Sequence, residues 1–392
     1  MKTGTLTWHF LNNYGSVLQA YALQKIINGL SGDNNQIINY YDKTHTSLLI
    51  SLVSILRKKG FFKTSVSCLK FIFRSLHNDT SEIIDTQYFN SFRTQYLTIS
   101  PDKYGSTKDL RNSLLNYDTY IVGSDNVWIV DPKTGSPRGL SNPHYFLDFV
   151  PSTKKRISYA ASMGDPFVEN SGLNNFTSLF NNLDYISVRE KETAEFLSSS
   201  MHREVAWVVD PTLLLTADDW DVVTQESGLY LRSDTYILVY VIYALNDNSP
   251  IFKYARYMGQ LLHKEIIYLG YHMNDGKSTN TYVNVPDFLY YIKNASLIIT
   301  NSFHGTVFSI IYRKSFVAFP PREGACRITD LLESFHLSER YVSSFESAKQ
   351  LNIKVDYINS ETDIENRRIY SLNWLSNVLT NNVSGENYEN SN

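Results

Sequence analysis

The sequence predicts an α/β protein of two domains, each built on a parallel, doubly wound sheet. Three observations carry that prediction. Short apolar runs alternate with amphipathic helical stretches from Thr3 onward. The alternation restarts after Ala206-Trp207-Val208-Val209-Asp210-Pro211, and 392 residues are enough for two domains of ordinary size. Thr3 to His9 reads as the first strand, followed by Asn12-Asn13-Tyr14-Gly15. A helix then runs from Ser16 to about Leu30, since Val17, Leu18, Tyr21, Leu23 and Ile26 share a wide apolar face. Gln36 to Tyr41, Thr119 to Val122, Arg156 to Ala161 and Tyr185 to Val188 are the next strands.

Tyr236 to Tyr243 opens the second half as a strongly apolar strand, followed by a helix from Ile251 to Leu262 and a strand from Glu265 to Leu269. Pro286 fits the first turn of a helix ending near Asn294, where a missing N–H costs nothing. Ala295 to Ile299 and Ser315 to Phe319 are strands. A last helix, 364–379, carries Ile369, Leu372, Leu375 and Val378 on one face and is expected to pack back on the first domain. The boundaries are therefore an N-terminal domain over 1–205, with a helical insertion at about 43–100 and completion by 364–379, and a C-terminal domain over 206–360 that binds a donor. The polar segment 381–392 has nothing to bury and is expected to be disordered.

Composition narrows the function. Hydrophobic residues make up 43% and charged residues 19%, as in globular proteins, and a formal charge of −3 gives no footing for nucleic acid. Cys68 and Cys326 are the only cysteines, so neither a disulfide framework nor a thiolate metal site is indicated. No signal-peptide core and no run of about 20 apolar residues is present, which points to the cytoplasm. Sequons at Asn78, Asn175, Asn294 and Asn382 then have no meaning. Lys43 to Asn78 contains no acidic residue, and its Lys and Arg residues alternate with Leu, Ile and Phe. Such a segment suits the anionic inner face of a cell membrane, where each cation contributes about 1 kcal/mol. It equally suits a helical insertion whose basic face is solvated.

No phosphate loop, no G-x-G-x-x-G after a strand, no H-E-x-x-H and no paired C-x-x-C occurs. Asp218-Asp219-Trp220-Asp221 fits an acidic helix start better than a metal site. Thr300-Asn301-Ser302-Phe303-His304-Gly305 joins a buried strand to a helix, where open sheets bind ligands and free amides favour an anion, and taken alone it equally reads as a capped helix start with a satisfied histidine. Asn12 to Ser16 and Ile121 to Trp128 share that layout, and Asp125 stands where a general base for an alcohol is needed. Each of the two also reads as plain turn and cap chemistry. Arg189, at another strand end, suits either a bidentate anion clamp or an ion pair with Glu190 or Asp210.

Taken together these stretches resemble the polysaccharide pyruvyl transferase family. The matching segments are Asn12 to Gly15 with Val17 to Leu23, Val122 to Trp128, Arg156 to Ser162, Ile186 to Glu190, Val209 to Leu215 and Thr300 to Gly305. Order and spacing hold from about residue 4 to residue 340, apart from most of Lys43 to Asp118. The resemblance implies two Rossmann-like domains facing across a cleft, as in GT-B enzymes. It implies phosphoenolpyruvate as donor, a sugar acceptor that is often lipid-linked, a cyclic pyruvate ketal as product, and no cofactor or metal. It implies His304 as acid or phosphate ligand, with Asp125 as the base. Arg189, Ser302, Phe303, Gly305 and Arg327 would hold the donor, and Asn13, Tyr14, Gly15, Asn126 and Trp128 the acceptor. One departure stands out, since the family commonly has Thr-Asp-Arg-Leu-His-Gly where this chain has Asn301 and Ser302. Losing that cation should cost about 1.5–3 kcal/mol of donor binding unless Arg327 or Arg322 replaces it. The alternatives are a GT-B-like enzyme using a nucleotide-linked sugar and a non-catalytic glycan-binding subunit.

If the basic segment meets membranes, liposomes containing anionic lipid will retain the protein at low salt in a sedimentation assay. Deleting 43–78 will release it; equal retention after the deletion would rule the contact out.

Overall fold

The computed structural model describes residues 1–32, 34–41, 80–129, 143–164, 178–274, 277–321 and 325–380. The whole basic segment 43–78, Arg322 and the segment 381–392 lie outside the described residues. The first lobe has four parallel strands in the order β2-β1-β3-β4: β1 Thr3–Leu6, β2 Asn35–Ile37, β3 Thr119–Val122 and β4 Lys155–Ser158. Bridges from Ile157 to Tyr185 and from Ala161 to Val188 extend it to the short parallel pair β5 Ser187–Val188 and β6 Ala206–Trp207.

Helix α1, Tyr14–Ser31, starts two residues before the apolar pattern suggests, because the Asn13 side chain accepts from the Ser16 N–H and caps it. It is enclosed on nearly every side, so its buried Gln19 must find partners: it donates to Thr7 Oγ1 (2.9 Å) and accepts from the Ser124 N–H (3.1 Å). Helix α2, Thr80–Tyr96, contributes Arg93, which donates to the carbonyls of His9, Phe10 and Leu11 at 2.6–2.9 Å. One guanidinium thus fixes the loop that leads from β1 into α1.

The second lobe is a five-stranded sheet in the order β11-β10-β7-β8-β9. Here β7 is Tyr236–Val241, β8 Glu265–Asn274, β9 Lys277–Thr281, β10 Leu297–Thr300 and β11 Phe316–Ala318. It is not wholly parallel: β8 runs past Leu269 and pairs antiparallel with β9, Gly270 opposite Thr281. Lys277-Ser278-Thr279-Asn280-Thr281 has no apolar alternation to announce a strand, and edge pairing through the backbone needs none. The acidic Asp218–Asp221 run belongs to a helix, Ala217–Thr224, whose start is a reciprocal Thr216–Asp219 capping box. Among the described residues no His, Cys, Asp and Glu group is arranged to hold a metal. No described helix is long and apolar enough to cross a membrane.

One apolar cluster runs through both lobes. Its crossing point is Tyr14, which is fully buried and stacks on Phe288 at 3.9 Å and 4°. The Tyr14 hydroxyl donates to the Val283 carbonyl and accepts from the Val283 N–H, both at 2.8 Å. The last helix spans Ile358–Thr380, beginning six residues earlier than its apolar face. Arg368 donates to the Leu213 carbonyl, and the Val209 N–H donates to Ser371. Lys155 of β4 donates to the Val378 and Leu379 carbonyls at 2.9 Å, a cation on the exposed acceptors of a helix end. The helix is thereby tied to the first lobe.

Tyr14→Phe will lower stability by about 1–3 kcal/mol, since both backbone groups of the half-buried Val283 lose their partner. Tyr14→Ala will cost about 3–5 kcal/mol. Urea unfolding measures both, and a Tyr14→Phe value near zero would show that the lobes do not depend on this contact.

Candidate active site

In the first sheet β1 lies between β2 and β3, and in the second β7 lies between β10 and β8. Chain connections diverge at these points, so the loops after β1 and β3, and after β7 and β10, open crevices at the strands' carboxyl ends. His304 comes from the second of these crevices. Ser302 caps helix Phe303–Ile311 by accepting from the Gly305 N–H (3.2 Å), and its own N–H donates to Thr300 (3.0 Å). Asn301 accepts from the Ile242 N–H and ties β7 to β10 across the switch point. Ser302 is therefore spent on local structure and replaces no cation.

His304 meets the first lobe directly. A Cβ placed on Gly15 would lie 2.0 Å from His304 Nδ1, so only glycine lets the start of α1 approach this ring. On the other side His304 Nε2 stands 3.6 Å from Asp210 Oδ2, an ion-pair distance too long for a hydrogen bond, and has no hydrogen-bond partner. The same Asp210 oxygen accepts from Arg189 Nη1 at 2.7 Å. Asp210 Oδ1 accepts from the Thr212 N–H and hydroxyl. Burial alone would raise the Asp210 carboxyl, but the His304 and Arg189 charges and the Thr212 bonds hold it far below the usual carboxylate range.

Arg189 also faces Glu190 at 3.4 Å, while its Nη2 and Glu190 Oε2 are enclosed without partners. Burial would lower this guanidinium, yet Asp210, Glu190 and Asp125 together hold it above its ordinary value. Arg189 lies 4.3 Å and Arg327 5.9 Å from the centre of the Phe303 ring. Arg327 donates to Asn126 at 2.8 Å; burial lowers it first, and the nearby Arg189 charge lowers it further. Asp125, in the left-handed region at φ 69°, accepts from Ser16 at 2.8 Å.

A small cavity of about 30 Å³ opens beside this cluster. Arg189, Arg327 and Arg367 line it, with Trp207 and Phe303 as aromatic walls and Asp210 and Glu190 among its acids. Arg367, from the last helix, stacks 3.5 Å from the Trp207 ring centre. Its usefulness had no signal in the sequence, where that helix is read by its apolar face. Asp330, on helix Ala325–Ser334, also lines the cavity and is equally silent, being one acid among several surface ones.

His304, Arg189, Phe303, Arg327, Asn126 and Gly15 thus converge, with Asp125 within electrostatic reach of both arginines. Arg189 makes the ion pairs with Glu190 and Asp210 and still offers one free edge. Two expected acceptor contacts are elsewhere. Trp128 is fully buried, donates to the Tyr145 carbonyl at 2.8 Å and stacks on Phe146. Tyr14 is the buried clamp between lobes. Both are large aromatics beside a loop, a pattern that core packing produces as readily as ligand contact. Asn13 is occupied in capping α1.

Two facing α/β lobes with charged groups at their switch points are the GT-B-like architecture, and solved structures agree on the fold. The chain is similar to Staphylococcus aureus MnaA, solved with UDP, at 12% identity and a TM-score of 0.53 over 99% of this chain and 100% of that one. It is similar to the Methanocaldococcus jannaschii UDP-GlcNAc 2-epimerase, solved with UDP-GlcNAc and UDP, at 12% identity and a TM-score of 0.51, covering 95% and 100%. The polysaccharide pyruvyl transferase model matches residues 13–322, and the chain belongs to that family of enzymes. A comparison with curated proteins finds no match.

Gly15→Ala will force the His304 ring or the α1 start to move, at about 1–3 kcal/mol of stability. Urea unfolding will read the loss; unchanged stability would mean that the two lobes are not held in this contact.

Proposed function

We propose that the protein transfers pyruvyl from phosphoenolpyruvate to a sugar of a cell-surface polysaccharide precursor and forms a cyclic ketal. The observation that carries this reading is that Arg189, whose enclosed Nη2 has no hydrogen-bond partner, lines one cavity with Arg327 and Arg367, while His304 Nε2, also without a hydrogen bond, stands on the same Asp210 carboxylate. Three guanidiniums against a trianionic donor offset the carboxylates Asp210 and Glu190 and make good the cation absent at Ser302. Family membership supports the reaction class.

The donor's carboxylate and phosphate lie against the guanidiniums, where a charged hydrogen bond contributes about 1.5–3 kcal/mol. His304 gives a proton to the methylene carbon, C2 becomes electrophilic, and a sugar hydroxyl adds to it. A second hydroxyl then attacks C2, closes the ring and expels phosphate. Asp125 remains the candidate base for a hydroxyl approaching along Asn126 from the first lobe. The precursor's lipid carrier would sit at the membrane, giving the basic insertion a use.

The test uses isotopically labelled phosphoenolpyruvate and, as acceptor, the membrane fraction of cells that lack the protein. Label will enter the glycan with the wild-type protein and not with His304→Ala. Arg327→Ala will raise the donor KM about 10- to 100-fold. No label with folded wild-type protein, or binding of UDP-GlcNAc without response to phosphoenolpyruvate, would overturn the proposal.

A further inference from the structure

The arginine-lined cavity has a neighbour. A more open recess of about 300 Å³, lined by Lys191, Glu192, Glu195 and Glu333, adjoins it, and Trp207, Asp330 and Ser334 belong to the walls of both. Trp207 lies between the two spaces with its indole N–H donating to the Arg189 carbonyl at 3.2 Å. Asp330 is the one carboxylate common to both walls, one helical turn after Arg327, and its Oδ2 is enclosed without a hydrogen-bond partner. A bare carboxylate oxygen in that position is costly unless it carries a proton or receives one from a ligand.

Resting on the pyruvyl-transfer reading above, we propose that Asp330 is a catalytic acid–base residue placed between the donor in the inner cavity and an acceptor hydroxyl entering from the outer recess. In this arrangement Asp330, in place of Asp125, is the first base: as carboxylate it takes the proton of the first hydroxyl while that oxygen bonds to C2 and His304 protonates the methylene. As carboxylic acid it then hands that proton to the departing phosphate oxygen as the C2–O bond to phosphate breaks. The second hydroxyl, closing the ring, gives its proton to His304. Each residue ends as it began, and the products are the ketal and inorganic phosphate.

The electrostatics agree with a group that changes charge during turnover. Burial pushes the Asp330 carboxyl up to about 7, the charges of Glu190, Glu192 and Glu333 add to the rise, and the Lys191 backbone N–H opposes it. Lys191 and the acids 190 and 192 face it from the start of helix Lys191–Met201, Arg327 and Glu333 from its own helix, and Arg189 and Arg367 across the inner cavity. A folded carboxyl that titrates above its unfolded value binds more protons than the unfolded chain between about pH 4 and 7, so its contribution is lost as pH rises through that window. Asp330→Asn should therefore melt no lower than wild type at pH 8, which serves as the folding check.

The experiment is calorimetric binding of phosphoenolpyruvate at pH 8 in two buffers of different ionisation enthalpy, on wild type and Asp330→Asn. A trianion settling beside Asp330 draws a proton onto it, so wild type will take up more protons than Asp330→Asn, by roughly half a proton. In the labelled-donor assay Asp330→Asn will lose about 10²–10⁴-fold of the transfer rate, and Asp330→Glu will recover part of it. Equal proton uptake, or equal transfer rates, in two proteins that both bind the donor would overturn the role of Asp330. Absence of binding to wild type would instead remove the donor assignment, and the inference with it.

Discussion

Asp210 is fully enclosed, and each of its oxygens has a separate task. Oδ1 is used up by Thr212 at the start of the turn Pro211–Leu214, which fixes the carboxylate to the backbone. Oδ2 is shared by Arg189 of the first lobe and His304 of the second. Without that charge, a buried guanidinium would keep Glu190 at 3.4 Å and the more distant Asp125, and the imidazole would lose its ion-pair partner. The cleft chemistry is therefore assembled around an anion supplied by the segment that passes from one lobe to the other.

The alternation of short apolar runs and helical patterns is enough to read the parallel strands of the two main sheets and their order of appearance, because buried parallel strands must be apolar on both faces. Thr300 to Gly305 was legible for a related reason: a polar run wedged between a buried strand and a buried helix needs a purpose. The antiparallel edge Lys277–Thr281 was not legible, since its stability comes from backbone pairing and its side chains carry no period. Tyr14 and Trp128 lay in the right loops but point inward, and sequence spacing does not tell which way an aromatic ring turns. Arg367 and Asp330 become meaningful only when distant helices are brought to one cavity.

The approach of the lobes is closer than a picture of two hinged halves suggests. Gly15 touches the His304 ring, Tyr14 passes its hydroxyl to Val283, and one apolar cluster is continuous across the boundary. Arg93, reaching from the helix that follows the basic insertion, fixes the loop before this contact through three backbone carbonyls. Surface elements are thus wired mechanically to the position of the imidazole, although they touch nothing at the cavity themselves.

The helix Ile358–Thr380 brings Arg367 to a wall otherwise made from residues far earlier in the chain. During synthesis Arg189, Asp210 and His304 can already be in place while that wall is missing. Folding of domains proceeds from the amino end as the chain emerges, so this wall of the cavity is added last, when Lys155 meets the carbonyls of Val378 and Leu379. A partly made polypeptide would hold those three side chains without the guanidinium that stacks on Trp207.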